Sequence, residues 1–159
     1  MNKMLLKQIS ILSIIAGIAL ALITLIPFIN AVSFFALMCL VSVFIVIFMV
    51  KSDLLEVLTV RESVVLGALT GFISFLAFAV VYLPIIAVLG KFFKLYNLYP
   101  VALFLGAGSF GIIFLLTVFV AVLSAVLNAF SAFLTFYVLE LLHSRESNAE
   151  NDKFEVKNE

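Results

Sequence analysis

Three long stretches of this chain carry no charged side chain: residues 8–50, 63–90 and 95–139. A membrane-spanning helix needs about 20 apolar residues at 1.5 Å each. Each run therefore holds at least one pass, and the first holds two. The composition agrees, with 66% hydrophobic and 11% charged residues. Soluble domains run near half apolar and a quarter charged, and most of their residues must face water. These totals exclude an ordinary cytosolic domain, a disordered chain and a nucleic-acid binder. Nine Lys and Arg balance nine Asp and Glu, so no strong field draws phosphate or acidic partners.

Punctuation inside the runs sets the helices. Pro27, Asn30 and Ser33 interrupt the first run, which reads as helices over about 9–28 and 32–50. Residues 51–62 form a short polar connector. Thr59 and Glu62 have capping-box spacing, which starts a third helix over 60–89 with Pro84 near its end. The third run must break, because a straight helix over residues 101–142 would measure about 63 Å, twice the hydrocarbon thickness. Gly106, Gly108 and Gly111 mark the break. Either residues 96–108 are interfacial or re-entrant and one helix follows over 110–142, or two short passes fit. There is no Trp, so the four Tyr and the Phe clusters take the interfacial positions.

Charge bias separates the threadings. With four passes, Lys3, Lys7, Lys51, Arg61, Arg145, Lys153 and Lys157 share one side, against Lys91 and Lys94 on the other. Five passes would give a near-even split. The positive-inside rule therefore favours four passes with both termini cytoplasmic. The apolar run after Lys7 is longer than a signal-peptide core, and residues 30–32 make a poor cleavage site, so the first helix is expected to stay uncleaved. The fold class is thus all-α: a polytopic transmembrane helix bundle over 1–143, with five passes as the alternative. The charged stretch 144–159 is expected to be a disordered polar cytoplasmic tail, with a short docking peptide as the other reading.

Helices in lipid associate through close-packed small residues. Ladders of this kind occur at Ser13, Gly17 and Ala21, at Ser63, Gly67 and Gly71, and at Ala121, Ala125 and Ala129. They read as packing between helices of one chain, or, at Gly67 and Gly71, as a homodimer contact. Asn128 is the carboxamide of the last span and has four hydrogen-bonding positions to fill. It reads as interhelical glue or, with Ser74, as one wall of a polar lining. Glu140 and His143 lie one turn apart, as an interfacial ion pair or a metal-ligand couple without a second pair to complete it.

No Asp, Glu, Lys or Arg falls at the centre of a span, where ion-coupled carriers usually need one. One Cys (Cys39) and one His (His143) leave no Cys-cluster metal site. No catalytic triad, carboxylate pair or HExxH pattern is present. Catalytic, cofactor-binding and metal residues are accordingly expected to be none.

Ala16-Gly17 with Pro27, then Arg61-Glu62 running into Gly67-Ala68 and Gly71-Phe72, then a small-residue last helix, resemble small bacterial four-helix membrane proteins that have no assigned activity. The resemblance covers most of residues 9–142. It implies the architecture and a bacterial inner-membrane location, and it transfers no functional residue. The expected function is a non-enzymatic accessory or scaffold protein whose partners are the bilayer and other membrane proteins or further copies of itself. The alternative is an oligomeric channel, transporter or lipid-handling subunit lined by Gly67, Gly71, Ser74 and Asn128.

Overall fold

The computed structural model describes residues 3–52, 59–94, 99, 101–107 and 110–156. Among these residues the only regular elements are helices: α1 (Lys3–Thr24), α2 (Asn30–Cys39), α3 (Val41–Lys51), α4 (Val60–Phe93), α5 (Val101–Ala107) and α6 (Phe110–Val156). Helices satisfy their own backbone groups, which chains this apolar require wherever water is excluded. Residues 6–24 of α1, all of α4 and residues 110–142 of α6 are each long and apolar enough to cross a membrane. The pair α2 and α3 adds a fourth crossing if it counts as one span.

α4 is the central post. α1 packs along one side of it and α6 along another, while α2 lies against α1 and α3 against α6. Its buried stripe runs through Leu66, Gly67, Thr70, Gly71, Ser74, Phe75 and Phe78. Around Phe78 an aromatic group closes one part of the core. Phe34 meets it edge-on at 6.3 Å between centroids, and Tyr82 stacks on it at 4.9 Å.

Local chemistry sets three of the ends. α1 stops at Thr24, short of the expected residue 28, because Pro27 disfavours helical backbone at Ile26. Pro27 sits in a tight turn held by Leu25 and Ile26 amides donating three residues back. Thr59 caps α4. Its side chain accepts from the Glu62 amide, and the Glu62 carboxylate accepts from the Thr59 amide. Lys94 ends α4 with φ of 54°, its N–H donating to the Gly90 carbonyl.

Three elements differ from the sequence reading. The helix expected over 32–50 is two helices meeting at Leu40 with a bend of 58°. The connector before the last helix holds α5, which is seven residues long. At about 10 Å it is too short to cross a bilayer, and it packs against α4. Tyr99, just before it, donates its hydroxyl to the Leu25 carbonyl and so ties the connector to the turn after α1. Tyr96, Asn97, Gly108 and Ser109 lie outside the described residues. α6 continues as helix to Val156 where the sequence suggested disorder after residue 143. Extending an existing helix needs no new nucleus, and Arg145, Glu146, Ala149, Glu150, Lys153 and Glu155 are helix-favouring residues within this stretch.

Candidate functional site

The break at Leu40 is where the buried polar groups of the bundle converge. It contains neither Pro nor Gly: the sequence from Leu37 to Ser42 is Leu-Met-Cys-Leu-Val-Ser. Sharp bends without those residues usually have a side chain inserted into the hydrogen-bond ladder. That is the case here, and the side chain is Asn128 of α6.

In an unbroken helix the Ser42 amide would donate to the Met38 carbonyl, four residues back. Both groups turn to Asn128 instead. The Ser42 N–H donates to Asn128 Oδ1 at 3.0 Å, and Asn128 Nδ2 donates to the Met38 carbonyl at 2.9 Å. The carboxamide thus stands between them like an extra peptide unit. Nδ2 also lies 3.1 Å from the carbonyl of Leu37 and 3.1 Å from that of Ser124. The Ser42 hydroxyl completes the junction by donating to the Asn128 carbonyl at 2.8 Å. Asn128 is 0% exposed. An amide has two acceptor and two donor positions, and its contacts go to helix backbone and to the Ser124 hydroxyl.

The small residues make this insertion geometrically accessible. A Cβ placed on Gly67 would run into the Asn128 carbonyl, Ala132 and Ala129. One on Gly71 would meet the Ser124 carbonyl and the Asn128 side chain. Gly17 plays the same part between α1 and α4, where a Cβ would strike the Ser74 carbonyl and sit 3.0 Å from Ala77. Ala21 is fully buried, while Ala125 and Ala129 are half-buried on α6. The Gly67–Gly71 face is therefore covered by α6 of the same chain, and these two positions are not open to a second copy.

Ser74 is fully buried, and its hydroxyl donates to the Gly71 carbonyl at 3.2 Å. The Ser124 hydroxyl donates to that same carbonyl from α6 at 3.1 Å. Ser74 and Asn128 thus sit in helix contacts and do not face an open polar path. A smaller polar latch closes the α1–α2 hairpin, where the Thr24 and Ser33 hydroxyls lie 2.7 Å apart with either able to donate. Thr24 also donates to the Leu20 carbonyl. Most other hydroxyls bond back to their own helix, as Ser13 does to Ile9 and Thr117 to Ile113. Thr70 is the exception. Its hydroxyl is buried and has no hydrogen-bond partner.

The bend also borders a groove. α2 packs on both α1 and α6 and α3 chiefly on α6, and an apolar groove of about 220 Å³ lies between α1 and the break. Ala16, Ala19 and Ala36 leave the space unfilled, Val41 and Ile45 form buried floor, and Phe44 stands 68% exposed at the side.

Sequence reasoning found Asn128, the glycine ladders and Ser42 as a hydroxyl to be satisfied within the bundle, but not the pairing of Asn128 with Ser42 and the carbonyls of Leu37 and Met38, nor the bond from Tyr99 to Leu25. A serine in a 43-residue uncharged run carries no mark of its partner. Among the described residues no three His, Cys, Asp or Glu side chains gather as metal ligands. The Glu140–His143 pair cannot be placed, since the His143 side chain lies outside the described residues. No known protein family, curated protein or solved structure matches the chain.

Proposed function

We propose that this chain is a four-pass integral protein of a bacterial inner membrane, with both termini cytoplasmic, and that it serves as a non-enzymatic accessory or scaffold for other membrane components. One observation carries the reading. Apart from the Thr70 hydroxyl, the buried polar groups are engaged across helix contacts or by their own helix, Asn128 above all, with its amide engaged by α2, α3 and its own helix. Groups that bind substrate or relay ions need free donors, acceptors or charge inside the span. The seven-to-two distribution of Lys and Arg supports the orientation. α2 and α3 count as one bent span, and α5 counts as none.

Topology is tested by cysteine accessibility in a Cys39→Ala background. Asn97→Cys and Ser147→Cys should label from opposite sides of the membrane, and labelling from the same side would overturn four passes. The role is tested in reconstituted vesicles. The accessory reading expects ion and solute flux no greater than in empty vesicles. Flux that depends on protein and is abolished by Asn128→Leu would replace it with the channel or transporter alternative.

A further inference from the structure

The groove beside the helix break is a binding site for a lipid acyl chain, we infer from its position, its lining and its size. The inference rests on the reading that the chain crosses a bilayer. Ala16 and Ala19 lie near the middle of the apolar stretch Leu6–Thr24, and Leu40 lies near the middle of the α2–α3 pair. The groove therefore opens into the hydrocarbon, not the headgroup layer.

Its lining selects the occupant. The residues that form it are Ala, Leu, Val, Ile and Phe. A buried water needs two to four polar partners, so water has nothing to hold it there. An empty void forfeits the dispersion contacts of its lining atoms. Compact ligands occupy sites of about 300–1,000 Å³ that add a few placed polar groups. A groove of about 220 Å³ without such groups suits a thin flexible chain. Buried Val41 and Ile45 give the occupant a floor, while exposed Ala19 and Phe44 leave a lateral mouth. A chain lying there is held between helices, unlike lipid against the exposed face of α6 marked by Phe119.

The site depends on the break. With Asn128 inserted, α3 departs from the line of α2 by 58° and packs chiefly on α6. If the Ser42 amide and Met38 carbonyl paired again, α3 would continue the line of α2 and the groove would lose its shape. The acyl site and the Asn128 insertion are thus one device built from α1, α2, α3 and α6.

The test uses the full chain in phosphatidylcholine vesicles carrying a small fraction of lipid with a mid-chain diazirine. Adducts after illumination are mapped by peptide mass spectrometry. We expect severalfold more adducts at residues 16–20 and 36–45 than at the open apolar faces marked by Val80 and Phe119. Ala19→Phe with Ala36→Phe should lower groove labelling to the level of those faces without changing theirs. Groove labelling no higher than at Val80 and Phe119 in the unsubstituted chain would overturn the site. Labelling absent at Val80 and Phe119 as well would overturn the membrane reading itself. Efficient disulfide formation between copies bearing Phe44→Cys and Cys39→Ala, with the groove unlabelled, would assign it to a second copy and also overturn the acyl site.

Discussion

Replacing Asn128 with Leu removes the inserted carboxamide while keeping the branch at Cγ and the same number of side-chain heavy atoms, so it tests the cause of the bend. In the native chain the side chain serves the Ser42 amide and the carbonyls of Leu37 and Met38. If the bend survives the substitution, the Ser42 amide and Met38 carbonyl both lose partners while buried. Each such group costs about 1–3 kcal/mol. If α2 and α3 straighten, those two groups pair again, but α3 must leave its seat on α6. Interhelical hydrogen bonds measured within membranes average about 0.6 kcal/mol, so three lost bonds set a floor near 2 kcal/mol. The expected loss is about 2–4 kcal/mol, read from unfolding in mixed micelles. Straightening is read separately by spin labels at Val32→Cys and Val50→Cys with Cys39→Ala. With 58° at Leu40 the two backbone sites lie about 24 Å apart, and a straight helix puts them near 27 Å. Stability within about 0.5 kcal/mol of native, together with an unchanged distance, would refute the assignment of the bend to Asn128.

Gly17→Leu should cost about 1–3 kcal/mol or more through overpacking against the Ser74 carbonyl, whereas Gly106→Ala, at an open position, should be neutral or mildly stabilising; equal effects in the same unfolding assay would contradict the packing. Thr70→Val keeps the shape and deletes a buried hydroxyl that has no partner, so it should stabilise by about 1 kcal/mol. A loss of stability there would reveal a partner for the hydroxyl. Tyr99→Phe deletes the donor to the Leu25 carbonyl and should cost about 0.5–1.5 kcal/mol, with faster amide exchange in α5 as the local sign.

Much of the arrangement was legible before any coordinates. The capping pair Thr59 and Glu62 marks the start of α4 because both partners lie within one turn. Pro27 marks a turn by the restriction it puts on its own neighbours. Gly17, Gly67 and Gly71 mark contact faces because glycine at helical spacing in an apolar run offers close approach. The break at Leu40 was not legible. Its residues all favour helix or tolerate it, and the group that interrupts them lies about 90 positions later in the chain. Nor did the isolated Asn128 disclose which backbone groups it would serve, since an amide in a last helix can face any of three neighbours. The end of α1 was misplaced by four residues because Pro27 acts on the residue before it, and the helix closed its last turn earlier still.

The sequence by itself determined that the chain is helical, how long its apolar helices are and where its charges lie. Those follow from local rules: apolar runs must satisfy their own backbone, and charge stays out of hydrocarbon. Only the tertiary structure decided that one helix is broken and that a groove opens beside it. A hydrogen bond is satisfied by whichever partner is within reach, and the partner of Ser42 is set by how α6 packs on α4.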